Sequence, residues 1–304
     1  MPSEDAIVPA AIVDAIAGWL GEAPEAAPLQ LARRATATFG ATFGRITETI
    51  VDVAGLTAIT SDRAGTPETA ETRVVFLNSG SEVHVGPGRA WVDYTRALAG
   101  AGVGAMRVDW SGWGESPDRR HAPGRPYDQH GIAETVEIVQ AVRASGVKRV
   151  MLAGLCAGAW MAVQAALRTR VDGVIAINPQ LYWLPGDPVE ALLSDTRKRR
   201  IPIRERDARL RDKHVWDALD VIGVRPPAAH WLHGLTERRV PSLLLFAEGD
   251  DGLEFLEMRC ARRLRHEQAA GYVRVVQIPD IDHQMYRTWR RGDVITALRA
   301  FVDA

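Results

Sequence analysis

The chain is poor in several things that would settle its class at once. Its 304 residues include only two cysteines, Cys156 and Cys260, far apart in sequence. Two do not make a disulfide framework, so a reducing compartment, the cytoplasm, is the expected setting. No apolar run reaches the length of a membrane-spanning helix, and Met1-Pro2-Ser3-Glu4-Asp5 places no basic stretch ahead of an apolar one. Neither a membrane span nor a secretory signal is therefore expected. Neither sign of charge is in excess: 37 Lys and Arg stand against 38 Asp and Glu, a formal net charge of -1. That balance argues against nucleic acid or an anionic membrane as the main partner. No cluster with metal-ligand spacing and no dinucleotide fingerprint is evident. Gly102-Val103-Gly104 falls at a strand start, the wrong end for a phosphate loop. Neither a metal nor a cofactor is expected.

What is present is enough chain for one large α/β domain with an insertion. In residues 1–44, Ile12, Val13, Ile16, Trp19 and Leu20 recur at helical spacing, and Glu22 to Pro28 reads as a linker. The helix packs on the domain or serves a dimer contact, and the sequence leaves the oligomeric state open. The regular domain is expected to begin near Arg45, with two antiparallel strands, Ile46 to Val53 and Leu56 to Thr60, joined at Ala54-Gly55. Strands and helices then alternate. Strands are predicted over Arg73–Asn78, Val103–Asp109, Arg149–Ala153, Gly173–Asn178, Ser242–Ala247 and Tyr272–Ile278. Helices are predicted near 88–99, 130–145, 157–169, 252–268 and 292–303. That alternation implies a mostly parallel sheet covered on both faces. Residues 180–238 break it, and they are read as a helical lid insertion at the carboxyl edge of the sheet or as a structural excursion. The core is then 45–179 with 239–304.

The most informative motif is Gly154-Leu155-Cys156-Ala157-Gly158, directly after the apolar run Val150 to Ala153 and directly before a helix. This is the strand, sharp turn and helix of a nucleophile elbow, with cysteine where serine is usual. The helix N-terminus favours a thiolate and an oxyanion beside it. The bland alternative is an inert buried cysteine.

A cysteine nucleophile needs a base, and the base needs an acid to orient it. Asp250 follows the strand ending at Ala247, and His283 lies between the last strand and the last helix. Asp251 is the adjacent alternative acid, and the pair also reads as a helix cap. His84 is the competing histidine. For the oxyanion hole, the backbone N–H groups of Ala157 and Ser81 are the candidates, with Gly80 letting the backbone approach a reacting carbonyl. Trp110, Trp160 and His84 are candidates to contact substrate, although tryptophans in such a chain are as often plain core. Asp109-Trp110-Ser111-Gly112-Trp113-Gly114-Glu115-Ser116 adds a strand end leading into a small-residue loop.

Taken in order, these segments resemble the α/β-hydrolase superfamily over roughly residues 45–304. Leu155 to Ala159 and Ala247 to Leu253 further resemble the small hydrolases associated with exosortase and other biosynthetic gene clusters. Cysteine elbows in the superfamily are familiar from dienelactone hydrolases and polyhydroxyalkanoate synthases. The resemblance implies the α/β-hydrolase fold and a Cys156–His283–Asp250 triad.

Cysteine shifts the expected chemistry. Thiolate attack on a thioester exchanges one thioester for another at little thermodynamic cost, which favours coenzyme A or acyl-carrier-protein conjugates over plain esters. Acyl transfer becomes as plausible as hydrolysis. Arg197 to Arg200, Arg204, Arg206, Arg209, Arg211 and Lys213 give 180–238 a basic bias that suits an acidic carrier or a phosphopantetheine arm. A solvated helix surface with intrahelical ion pairs is the simpler reading of the same bias, and the preferred one. The same triad also suits a lactone or carbon–carbon bond hydrolase. A third reading is a non-catalytic scaffold that binds a ligand.

Overall fold

The computed structural model describes residues 10–20, 35–66, 70–80, 82–119, 126–183, 213–223 and 227–304. The chain divides into two units, Met1–Arg33 and Arg34–Ala304. The first contains helix α1 (Ala10–Leu20), where the apolar spacing predicted one.

The second unit is built on a nine-stranded sheet. Its strands are β1 (Ala35–Ala41), β2 (Gly44–Val53), β3 (Leu56–Arg63), β4 (Thr72–Phe76), β5 (Gly104–Val108), β6 (Arg149–Leu155), β7 (Gly173–Ile177), β8 (Ser242–Ala247) and β9 (Val273–Ile278). Their spatial order is β1-β2-β3-β5-β4-β6-β7-β8-β9. The first three strands and the β3–β5 pair run antiparallel, and the rest of the sheet is parallel. Strands β5 to β8 are buried almost throughout, as expected of parallel strands covered on both faces.

Residues of alternate parity along each strand serve opposite faces. Val74, Phe76, Ile175, Ile177, Leu243 and Leu245 pack with α2 (Ala90–Gly100) and the C-terminal helix Arg291–Val302. Val75, Leu77, Leu152, Val174, Leu244 and Phe246 pack on the other side with α3 (Gln129–Ala144) and α4 (Ala157–Ala166). Between them in sequence come α5 (Lys213–Val221), α6 (Pro227–Glu237), α7 (Asp251–Arg259) and α8 (Ala261–Ala269), which makes the C-terminal helix α9.

Three boundaries differ from expectation. The domain begins before Arg45, because β1 lies inside the segment read as helical. Its sequence, Ala-Thr-Ala-Thr-Phe-Gly-Ala, alternates, but three of its four apolar positions are alanine and only Phe39 is large, so the pattern is weak. As an edge strand it is held by its ladder to β2 and by the cross-strand pairs Thr36–Thr49 and Thr38–Thr47, at 3.1 and 2.9 Å. The helix expected over 252–268 is two, α7 and α8, parting at Cys260, whose φ of -124° leaves the helical region. Neither glycine nor proline marks that break. Finally, α6 belongs to the core: Ala228, Ala229, Leu232 and Leu235 are buried in the same cluster as α4. The expected insertion 180–238 is narrower at its C-terminal end, and 184–212, including most of its basic residues, lies outside the described residues.

Candidate active site

The carboxyl edge of the parallel strands gathers the candidate residues. Cys156 follows β6 and precedes α4 without a linker, at φ 54° and ψ -111°. This is strained backbone for a non-glycine residue, of a kind that costs about 1–3 kcal/mol and clusters at functional sites. Its neighbours explain how the turn is tolerated. A Cβ on Gly154 would lie 2.3 Å from the carbonyl carbon of Gly158, and a Cβ on Gly158 would lie 2.3 Å from the carbonyl oxygen of Asn78. The Cys156 N–H donates to the Ile177 carbonyl at 2.9 Å, which pins the elbow to β7.

His283 stands in the loop after β9. Its Nδ1 is 2.5 Å from Asp250 Oδ2, and its side chain also hydrogen-bonds the Cys156 thiol. Of the two adjacent aspartates, Asp250 is the one in contact with His283. The same carboxylate caps α7, accepting from Gly252 N–H at 2.8 Å through Oδ1. Burial pushes the Cys156 thiol up, but the His283 hydrogen bond and charge, the Tyr127 hydroxyl and the Ala157 N–H outweigh it, and its pKa lies below the ordinary value. Burial pulls His283 down, yet Asp250 and Cys156 together raise it to about 10. Both shifts move the pair toward thiolate and imidazolium.

Two residues of the site had no sequence signal that singled them out. Asn178, in the left-handed region at φ 43°, donates through Nδ2 to the His283 carbonyl and accepts from Ala247 N–H, both at 2.7 Å. It ties the histidine loop to the ends of β7 and β8. Tyr127, also at positive φ (62°), places its hydroxyl 3.5 Å from Cys156 Sγ and 3.0 Å from Gln180 Oε1. The available clues were an Asn-Pro pair after a strand and a Tyr-Asp pair before a helix.

On the oxyanion side, the Ala157 N–H reaches the sulfur, while Ser81 lies outside the described residues. The loop that carries it is braced from below. Asp109 is fully buried and accepts from Asn78 Nδ2 at 2.8 Å and from His84 N–H at 2.6 Å, with His84 Nδ1 at 2.6 Å from its other oxygen. Asn78 Oδ1 in turn accepts from Trp110 N–H at 2.8 Å. Burial raises the Asp109 pKa, but the hydrogen bonds from His84 and Asn78 and the His84 charge leave it lowered overall.

This bracing corrects the three expected substrate contacts. His84 is buried and committed to Asp109, so it holds the loop. Trp110 is buried and packs edge-on against Trp113. Trp160 is fully buried; its Nε1–H donates to the Trp183 carbonyl at 2.9 Å and its ring backs Tyr127 edge-on at 5.3 Å. Large aromatic rings gain more from full burial here than from lining a cleft. His84, Asp109 and Glu115 also bring three potential metal ligands within 4.8 Å of one another, a grouping that sequence spacing did not reveal. Hydrogen bonds already tie them together: Asp109 Oδ2 also accepts from Glu115 N–H, and His84 Nδ1 lies 3.0 Å from Glu115 Oε2. No helix among the described residues is long and apolar enough to cross a membrane.

The fold and the edge constellation define an α/β-hydrolase-type protein. Residues 74–298 match the model of the Alpha/beta hydrolase family, and the chain belongs to that family. Among solved structures it is similar to TT1662 from Thermus thermophilus, at 16% identity over 86% of this chain and 99% of that one, with a TM-score of 0.53. It is also similar to an esterase from Pyrococcus furiosus, at 13% identity over 88% and 92%, TM-score 0.51. A dienelactone hydrolase from Anabaena variabilis matches at 14% identity over 90% and 98%, TM-score 0.50. At these identities the likeness is one of fold. No curated protein matches the sequence.

Proposed function

We propose that the protein is a cysteine-dependent acyl-enzyme catalyst that hydrolyses or transfers an acyl group from a thioester. The observation that carries this reading is the continuous chain Cys156–His283–Asp250 on a strained elbow. His283 takes the Sγ proton through Nε2, while Asp250 holds Nδ1–H and stabilises the imidazolium. The thiolate attacks the acyl carbonyl, the carbonyl pair moves onto oxygen, and the Ala157 N–H faces that oxyanion, with the Ser81 N–H as the second donor. Collapse breaks the bond to the leaving thiolate, which takes the proton from His283. Water, or an alcohol or amine acceptor activated by neutral His283, then releases the acyl group.

A thioester donor fits because sulfur replaces sulfur at the acyl carbon. Coenzyme A and acyl-carrier-protein conjugates, as in specialised metabolism, are the natural class. A reducing compartment such as the cytoplasm keeps Cys156 free. The test is incubation with a panel of acyl thioesters followed by intact mass. An adduct mapped to Cys156 that discharges to water or an added nucleophile is the expected result, and the acceptor separates hydrolase from transferase. No adduct and no released thiol across the panel would leave lactone or carbon–carbon hydrolysis, or a binding scaffold, in its place.

A further inference from the structure

The Tyr127 hydroxyl has one proton and two acceptors in reach, Gln180 Oε1 at 3.0 Å and Cys156 Sγ at 3.5 Å. Gln180 Oε1 is held in turn by Trp183 Nε1–H at 3.1 Å. The ring cannot wander: it is buried, edge-on to Trp160 and tilted against Trp183 at 5.6 Å, on backbone held at positive φ. Few tyrosines adopt that backbone without a compensating reason. Facing the sulfur are His283, with Asp250 behind it, and Tyr127, with Tyr182 beside it.

We propose that Tyr127 is a further catalytic residue of this site, and that its hydroxyl turns from Gln180 to the Cys156 sulfur when the thiol loses its proton. The inference rests on the acyl-enzyme reading and adds a donor to it. In the resting thiol, Sγ–H points to the free nitrogen of His283, and the Tyr127 proton lies on Gln180 Oε1. When the Sγ proton passes to His283, the sulfur becomes an anion and a strong acceptor. The Tyr127 O–H then rotates about its C–O bond to donate to sulfur, with no bond to hydrogen broken. As the S–C bond forms, sulfur loses its charge, and the hydroxyl swings back to Gln180. The hydrogen bond is thus made to the nucleophile and released as the bond to substrate forms.

The test is the pH dependence of iodoacetamide alkylation, followed on the Cys156 peptide so that buried Cys260 does not contribute. In Tyr127→Phe the midpoint is expected to rise by about one pH unit, the equivalent of a tenfold change in the thiol–thiolate equilibrium. In Gln180→Leu, which removes the competing acceptor, the midpoint is expected to fall. A purely packing role moves neither. An unmoved or lowered midpoint in a folded Tyr127→Phe protein overturns the proposal; if that variant fails to fold, an unmoved or raised midpoint in Gln180→Leu does so. Alkylation needs no acyl substrate, so absence of an acyl adduct in the wild-type protein would sink the thioester reading while leaving this test standing.

Discussion

Asp250 Oδ2 lies 2.5 Å from His283 Nδ1, and the other oxygen of the same carboxylate caps α7. One side chain therefore does two separable jobs. Asparagine caps helices as well as aspartate does, but it carries no charge to stabilise an imidazolium. Asp250→Asn is expected to melt within a few degrees of the wild-type protein and to lose roughly 10³–10⁴-fold in kcat. Asp250→Ala is expected to lose the cap as well, about 1 kcal/mol more in stability. Thermal melts and turnover of the two variants side by side check the division.

The paired shifts predict a bell-shaped pH profile. The Cys156 pKa is lowered, so nucleophilic thiolate appears as pH rises through a value below the ordinary 9.0. The His283 pKa is raised to about 10, so the imidazolium that protonates the leaving group is lost as pH rises through that value. Acyl transfer should climb below pH 9 and decline near 10, whereas simple alkylation of Cys156 should climb and stay on its plateau. In His283→Ala the alkylation midpoint should move up toward the ordinary thiol range. A midpoint that stays put would remove His283 from the pair.

Asn178 predicts a change in rate without a matching change in affinity. Its two 2.7 Å hydrogen bonds hold the His283 loop from the ends of β7 and β8. Asn178→Ala strands a backbone N–H and a carbonyl, at about 2 kcal/mol in stability. Because it touches His283 only through the backbone, kcat should fall by roughly tenfold or more while KM changes little. Steady-state kinetics beside a thermal melt check it.

Gly158 is predicted to tolerate no side chain. The Cβ of Gly158→Ala would have to displace the Asn78 carbonyl, 2.3 Å away, and with it the loop after β4. A loss of about 1–3 kcal/mol is expected from overpacking, read as a lowered denaturation midpoint. A variant as stable as the wild type would mean that the elbow is looser than its geometry implies.

How much of this could be read beforehand depends on the type of signal. The parallel strands were legible because Val150 to Ala153 and Leu243 to Ala247 are continuous apolar runs, and the elbow because Gly154 and Gly158 are forced by close backbone approach. Position in the loop after β9 singles out His283, and spacing from the strand end favours Asp250 over Asp251; the structure puts the Asp250 carboxylate 2.5 Å from His283. β1 escapes a reading by pattern because the alternating face of this edge strand is alanine except for Phe39, too weak an apolar signal to stand out. His84, Trp110 and Trp160 were misplaced because sequence gives the loop or helix a residue sits on but not the side it faces. Tyr127 and Asn178 act through contacts formed only when distant segments meet, Tyr127 with Gln180 and Asn178 with His283. No local pattern encodes such contacts.

The central claim is that the Cys156 sulfur carries the acyl group, and rapid-mixing measurement of thiol release from an acyl thioester tests it most directly. The account predicts thiol release that depends on Cys156, with acylated Cys156 recovered on quenching and both signals abolished in Cys156→Ala. Undiminished turnover by a correctly folded Cys156→Ala protein would contradict it.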